Sequence, residues 1–277
     1  MTLLESIDKA QLKKILLIVI SALTLIALAL LLVIIVMSIA PKTPEKSDIE
    51  FTDYTVTEKD LTTGSLILAD AEHPFTAGSD LTQTMINCQQ FRNEHRGDVE
   101  NGPYYAMNNV QLTQTAMAAA HDLLVAAENA VKEDNLLIKY AYYGDDGKTA
   151  EFATGMLMFL TDYDENKLPE SYATWLKAHA HEFGFVESYT DAYRFVGEAH
   201  AKYMKDNSLS LADYVAKLKK DTSSAKLLTL TDADGAEYAV YYAGCKAGET
   251  VKVPAKGQYT ISGTNDGGVI ITVKIAK

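Results

Sequence analysis

The hydrophobic and polar positions divide the chain into a long apolar segment, a polar segment and a mixed remainder. Residues 15–40 contain no charged side chain, and only Ser21, Thr24 and Ser38 are polar. As a helix this segment reaches about 39 Å, more than the roughly 30 Å hydrocarbon core of a bilayer. The pattern therefore predicts a transmembrane helix. A cleavable signal peptide is the alternative, but its apolar stretch is shorter, and Pro41 follows the only candidate cleavage site.

The charges that flank the apolar segment predict its orientation. Lys9, Lys13 and Lys14 precede it, whereas acidic and basic residues are mixed after it. Lysine-rich flanks stay on the cytoplasmic side. Residues 1–14 are therefore predicted to be cytoplasmic, in a single-pass cell-membrane protein whose C-terminal domain is extracytoplasmic. Residues 41–60 are polar and contain two prolines, so they are predicted to form an extended stalk.

Beyond the stalk, the period of the apolar positions changes several times. Helical spacing predicts helices over 110–131, 171–182 and 211–218, with Gly184 ending the second and Ser210 leading the third. Shorter apolar runs predict strands. These runs cover residues 65–69, 135–143, 156–160, 226–230, 237–242, 250–253, 259–262 and 269–275.

The last five predicted strands follow one another without a helix between them. Asp234-Gly235 and Asp266-Gly267 are dipeptides that close tight hairpins. The predicted fold class is therefore α+β, with a main domain over 61–222 and a small all-β appendage over 223–277. The appendage has either its own fold or a face packed on the main domain.

The net charge of the chain excludes two classes of partner. The formal net charge is −12, so the surface repels nucleic acid and anionic lipid, and both are discounted as partners.

Cys88 and Cys245 both lie on the predicted outer side, where an oxidising compartment permits a disulfide. Two isolated buried thiols are the alternative. No P-loop, nucleophile elbow or HExxH motif occurs.

Several segments occur in the order in which VanY-like D-alanyl-D-alanine carboxypeptidases carry them. Residues 64–75 (GSLILADAEHPF) resemble the GxLxLVNxxHPY segment of that family, and residues 194–204 (RFVGEAHAKYM) resemble RYVGxPHAxYM. Residues 211–218 resemble LEEYxxxL, and residues 151–155 (EFATG) lie between these segments in the expected order. The resemblance implies an LAS/VanY-like core of the hedgehog/D,D-peptidase type.

The same resemblance places residues that cannot bind zinc at the metal positions of the family. Active members bind zinc with the His and Asp of SxHxxGxAxD and the His of ExxH, whose Glu activates the bound water. In the register anchored on Gly155, two of the zinc positions are Phe152 and Phe159. Aligning His200 with the second His of the family, in GxPHA, places the third zinc position on Ala192 and the base position on Tyr189. Phe and Ala offer no lone pair, and tyrosine stays protonated near neutral pH. The resemblance therefore implies a pseudoenzyme without a cofactor.

The register also assigns the remaining motif residues. Arg194, Gly197 and His200 match framework positions, with His200 at the His of GxPHA and not at the zinc ligand. The substrate-binding Arg of the family falls near Gly144. The residues that the register places around the former active-site cleft are Tyr140, Tyr142, Tyr143, Phe152, Phe159 and Tyr189.

Three functions remain open. The first is non-catalytic binding of peptidoglycan stem peptide, or of a cell-envelope protein, through the remodelled cleft. The second is an active zinc carboxypeptidase with replacement ligands. The third is an interaction module of a membrane complex that acts through the β appendage. The retained scaffold, with all four chemical positions changed, favours the first.

Overall fold

The chain forms two compact units, residues 1–42 and 43–277. The computed structural model describes residues 49–95, 104–132, 135–142 and 151–275, and eight positions between 17 and 28. No helix within these described residues is long and apolar enough to cross a membrane. Most of the predicted membrane segment and all of residues 1–14 lie outside the described residues, so both stay predictions. The few positions described there, such as Leu17 and Leu23, are helical.

The second unit combines short helices with five- and four-stranded sheets. Its described helices are α1 (Glu58–Thr62), α2 (Ser79–Thr82), α3 (Cys88–His95), α4 (Gln114–Val131), α5 (Glu170–His179), α6 (Glu198–Asn207) and α7 (Leu211–Asp221). Its described strands are β1 (Phe51–Thr55), β2 (Met85–Asn87), β3 (Tyr105–Ala106), β4 (Gln111–Thr113), β5 (Leu136–Tyr140), β6 (Leu157–Asp162), β7 (Phe185–Tyr189), β8 (Ala192–Phe195), β9 (Leu228–Thr231), β10 (Glu237–Gly244), β11 (Thr250–Pro254), β12 (Tyr259–Gly263) and β13 (Gly268–Lys274). Two 3-10 helices cover Phe152–Thr154 and Ala180–Phe183.

The central sheet has the strand order β3-β5-β6-β8-β7, in which only β3 and β5 are parallel. One face of this sheet packs against α4 and α5. Ala116, Ala120 and Ala127 recur on the buried side of α4, and Ile138 and Leu160 meet them from the strands. The small alanine side chains let the helix lie close to the sheet. The candidate site lies on the opposite face of the sheet.

The β appendage is packed on the main domain, which settles the alternative that the sequence left open. Its sheet has the order β12-β13-β10-β9. Tyr238 and Val240 of β10 pack with buried residues of α6 and α7, whereas Ala239 and Tyr241 pack with residues of β11 and the segment around β1. Because alternate side chains of a strand point to opposite faces, both faces of the appendage sheet are covered by other elements.

The predicted stalk is wrong for residues 51–60. Strand β1 pairs antiparallel with β11, with Phe51 opposite Pro254. Helix α1 follows, with a capping box in which Thr57 and Asp60 each accept from the other's backbone N–H. The stalk was inferred from local polarity, and the sequence gives no signal that a five-residue strand pairs with one about 200 residues away.

The predicted strand over residues 65–69 is wrong, although residues 66–69 are buried. The Leu66 N–H donates to Ser262 Oγ at 3.0 Å, and the Leu68 N–H donates to the Thr264 carbonyl at 3.0 Å. The backbone is therefore satisfied by the end of β12 and the turn after it. We call residues 64–68 the connecting segment, since it also contacts the central sheet, as described below.

The two cysteines are free, so the disulfide alternative is not realised. Cys88 belongs to the core between the central sheet and α4, whereas Cys245 belongs to the core of the appendage. Burial raises the pKa of Cys88 to about 12. The thiol therefore stays protonated and acts as a small apolar side chain.

His200 is a framework residue that joins the main domain to the appendage. Its Nδ1 lies 2.7 Å from Tyr214 Oη on α7, and its Nε2 lies 3.0 Å from Thr272 Oγ1 on β13. Burial lowers the pKa of His200 to about 4. The imidazole is therefore neutral at pH 7 and bridges the two hydroxyl groups.

Protonation of His200 is expected to destabilise the fold between pH 6.5 and 4. The folded pKa of about 4 lies below the ordinary value of 6.5. The unfolded chain therefore binds more protons in this window, and the free energy of unfolding falls by about 3 kcal/mol as pH drops across it. Urea denaturation should show a weaker pH dependence for His200→Gln than for the wild type. Equal pH dependence in the two proteins would contradict this role.

Candidate functional site

Four residues from four adjacent strands form one row across the central sheet. Tyr140 of β5 lies opposite Phe159 of β6, Phe159 lies opposite Ala192 of β8, and Ala192 lies opposite Tyr189 of β7. The Tyr140 and Phe159 ring centroids are 5.8 Å apart. The ladder register shifts next to Tyr140 and next to Tyr189, which brings both tyrosines into the row. We call these four residues the cross-strand row.

The cross-strand row lies on the sheet face opposite to α4 and α5. Met158, Leu160 and Tyr193, which alternate with row residues along β6 and β8, belong to the core on the helical side. Phe159 and Ala192 therefore point to the other face. Ala192 is 2% exposed and forms a covered floor, whereas both tyrosines are about half exposed. The row is thus a shallow apolar floor with an aromatic rim.

The side chain of Arg194 is fully buried. It points to the same side of β8 as Ala192, which is the side of the cross-strand row. Its Nη1 donates to Thr154 Oγ1 at 2.7 Å, and its Nη2 donates to the carbonyls of Ser65 and Ile67 at 3.2 and 3.1 Å. Burial lowers the pKa of Arg194 to about 10, although the nearby carboxylate of Glu151 acts in the opposite direction. The guanidinium stays charged at pH 7 and joins the sheet to the connecting segment.

Glu151 is the buried carboxylate of the site. Its Oε1 accepts from Ser188 Oγ at 2.7 Å and lies 4.0 Å from Arg194 Nη1. Burial, followed by the charge of Glu151 and a hydrogen bond with it, raises the pKa of Tyr189. Tyr189 therefore remains a neutral phenol at pH 7, and the position of the family's base cannot accept a proton from water.

Exposed apolar side chains are concentrated on this side of the molecule. Within the described part of residues 49–275, the large apolar side chains that are well exposed are Met107, Tyr140, Tyr163 and Tyr189, at 40%, 48%, 58% and 54%. All four stand on, or directly after, strands of the central sheet. Tyr163 packs against Tyr105 of β3, with ring centroids 4.5 Å apart.

Strand alternation places Tyr105 and Met107 on the face of the cross-strand row. Ala106, between them, packs into the core on the helical side, as does Ile138, its partner on β5. The residues on either side of Ala106 therefore point the other way. Tyr163 joins them through its ring contact with Tyr105. We call the side chains of Tyr105, Met107 and Tyr163 the aromatic platform; Tyr105 is partly buried, whereas Met107 and Tyr163 are exposed.

The residues at the three positions where the family resemblance places zinc ligands do not fit a metal ion. Phe152, Phe159 and Ala192 carry no atom that ligates zinc, and a tetrahedral site needs three or four such donors. Among the described residues, no group of three or more His, Cys, Asp or Glu side chains could hold a metal ion. No hydrolytic step through zinc is therefore derived for this site.

The structure brings together part of the predicted cleft. Tyr140, Phe159 and Tyr189 share the cross-strand row with Ala192. Phe152 is partly buried in the 3-10 helix that precedes β6. Tyr142 instead pairs through its backbone with Gln111, outside the row. Tyr143 and Gly144 lie outside the described residues.

Sequence reasoning missed the polar and outlying members of the site. Glu151 falls at an unspecified position of the zinc-binding motif, and Ser188 lies just before the ExxH segment, so neither was assigned a role, although the buried Arg194 required a counter-charge. Tyr163 continues the alternation of Phe159 along β6, and this signal could have identified it. The pairing of Tyr105 with Tyr163 had no local signal, since it depends on the order of strands in the sheet.

Comparison with known proteins points to one group of peptidases. No family model matches the chain. A D-alanyl-D-alanine carboxypeptidase of Enterococcus faecium is 28% identical over 112 residues, covering 36% of this chain and 35% of that relative. The chain thus matches about a third of the length of that relative.

A solved structure supports the fold over a longer stretch. The vancomycin resistance D,D-dipeptidase VanXYg, in complex with a D-Ala-D-Ala phosphinate analogue, aligns with a TM-score of 0.61 at 18% identity. The alignment covers 82% of this chain and all of that one. At this level of identity the likeness concerns the fold, and the mixed α/β fold predicted from the sequence is confirmed.

Proposed function

Because this chain is related to the VanY-like D-alanyl-D-alanine carboxypeptidases, we propose that it is a non-catalytic binding protein for peptidoglycan stem peptide. The ligand lies across the cross-strand row, where the catalytic centre of an active relative would be. A cell-envelope protein is the alternative occupant of the same face.

The main support for this proposal is the distribution of exposed apolar side chains. A folded domain rarely leaves its large apolar side chains exposed on one face unless that face binds something. Tyr140 and Tyr189 stand at the two ends of the row, with Phe159 and the buried Ala192 between them. The floor is therefore apolar, and the rim offers phenol hydroxyls. Rings with hydroxyls suit a peptide, since they combine apolar contact with hydrogen bonds.

The absence of catalysis is proposed from the chemistry of the residues in the row. A hydrolase of this group needs a metal-bound water and a carboxylate that takes its proton. Here Tyr189 stands at the base position with a raised pKa, and Glu151 is already engaged by Ser188 and Arg194. Neither group is available as a general base.

The membrane anchor and the location outside the cytoplasm are part of the proposal. The uncharged run over residues 15–40 is long enough to span a bilayer, and the lysines before it favour a cytoplasmic N-terminus. A protein so anchored holds its second unit next to the cell wall, where stem peptides are found.

Calorimetric titration of the full chain in detergent with a purified muropeptide tests the binding. We expect saturable binding, and we expect Tyr189→Ala to weaken it about fivefold, since one buried aromatic contact is worth about 1 kcal/mol. Tyr259→Ala, on β12 of the appendage, is the matched control and should bind like the wild type. If the muropeptide does not bind, the stem-peptide proposal fails.

Metal analysis and an activity assay test the second half of the proposal. We expect no stoichiometric zinc in the protein purified without chelator, and no release of D-alanine from a pentapeptide. The E. faecium relative or another active carboxypeptidase serves as the positive control. Bound zinc together with D-alanine release would establish the active-enzyme alternative instead.

A further inference from the structure

We propose that the aromatic platform is a subsite for the N-acetylated amino sugar that carries the stem peptide. This inference rests on the proposed function, because it assigns a place to the second half of the same ligand. It concerns Tyr105, Met107 and Tyr163, to which the resemblance to carboxypeptidases gives no role.

The platform is held in place before any ligand arrives. The Tyr105 ring contacts the Tyr163 ring, with centroids 4.5 Å apart, and the guanidinium of Arg92, which lies 5.3 Å from the Tyr105 centroid. Arg92 Nε in turn donates to the Tyr104 carbonyl at 2.8 Å. Tyr105 is therefore braced, and Tyr163, the most exposed of the large apolar side chains in the described part of residues 49–275, presents its ring to solvent.

The chemistry of the platform matches a sugar better than a charged peptide group. One face of a pyranose ring carries C–H bonds, which stack on an aromatic ring, while its hydroxyls reach phenol groups at the rim. The methyl of an acetyl group fits beside an apolar thioether such as Met107. The nearby cation Lys139 is already paired with Glu165 at 3.3 Å.

The separation between the platform and the far end of the row fits the length of a stem peptide. Tyr163 lies four residues beyond Phe159 in the sequence, or about 13 Å at 3.3 Å per residue. Tyr189 lies two strands from Phe159, or about 10 Å at 4.8 Å per strand. The diagonal is therefore about 16 Å, and five extended residues span about 17 Å. A peptide that begins at a sugar on Tyr163 thus ends beside Tyr189.

Comparing two ligands distinguishes binding at the subsite from binding in the rest of the cleft. The ligands are a disaccharide pentapeptide and the same pentapeptide without sugar. We expect the full chain to bind the disaccharide pentapeptide about tenfold more tightly. Tyr163→Ala should remove this difference while it changes the affinity for the free pentapeptide less than about twofold. Tyr163→Phe should retain the difference, because it keeps the ring.

Tyr189→Ala provides the matched comparison, since it should weaken both ligands equally. Equal affinity of the wild type for both ligands would overturn the subsite and leave the proposed function intact. An equal loss for both ligands in Tyr163→Ala would do the same, since the tyrosine would then contact the peptide. If neither ligand binds the wild type, the proposed function fails and the subsite fails with it.

Discussion

Replacing Arg194 by leucine is expected to lower the free energy of unfolding by about 4 kcal/mol, because one buried charge would lose its partner. The substitution leaves the Glu151 carboxylate, which is largely buried, without its cation. It also removes the donors to the carbonyls of Ser65 and Ile67 and to Thr154 Oγ1. Urea denaturation at pH 7 measures the loss.

Two further variants test the cause of this loss. Glu151→Gln combined with Arg194→Leu should recover about 1–2 kcal/mol, because the unpaired charge is gone. Lys202→Leu is the exposed control, since it breaks only a solvent-exposed pair with Asp206, and it should cost less than about 1 kcal/mol. An Arg194→Leu protein within 1 kcal/mol of the wild type would refute the structural role given to this guanidinium.

The second large effect is expected for Gly64→Ala, which should cost about 4 kcal/mol. Gly64 has a φ of +114°, a conformation that L-residues rarely adopt, and strain of this kind costs about 1–3 kcal/mol. An added Cβ would also collide with Ser262 Oγ and Cα. Overpacking adds about 1–3 kcal/mol, because the end of β12 would have to move away from the connecting segment.

Gly78→Ala is the matched control for this substitution. Gly78 precedes α2, has a negative φ, and a Cβ there would meet nothing within 4 Å. We expect a loss of only about 1 kcal/mol, because glycine is preferred over alanine at a helix N-cap but no backbone strain or collision is added. If the two variants unfold at the same urea concentration, the close approach of Gly64 to β12 does not contribute to the free energy of unfolding.

Local signals predicted much of the fold. Helix α7 begins after Ser210, whose side chain accepts from the Asp213 N–H, and the helical stretch before Gly184 ends in the left-handed conformation of that glycine. All five C-terminal strands occur within a few residues of their predicted bounds, and both Asp-Gly dipeptides lie in hairpin turns. These features depend on neighbours in the chain, which is why a single sequence contains them.

Features that depend on the pairing of distant segments could not be predicted from the sequence. The register of Phe159, Ala192 and Tyr189 is fixed by which strands are adjacent and by two irregularities in the ladder. The burial of residues 66–69 accords with their apolarity, but the hydrogen bonds of Leu66 and Leu68 to the end of β12 and the turn after it had no local signal. The family resemblance supplied the cleft positions, and the platform around Tyr163 lay beyond its motifs.

The connecting segment has a consequence for how the protein can be divided. One side of this segment accepts hydrogen bonds from Arg194, and the other side bonds to Ser262 and Thr264 of the appendage. A chain cut after residue 222 would lose those appendage partners and would expose the apolar faces of α6 and α7. Such a fragment would adhere to other proteins through its uncovered core, so the roles of the cleft and the appendage can be separated only by point substitutions in the intact chain.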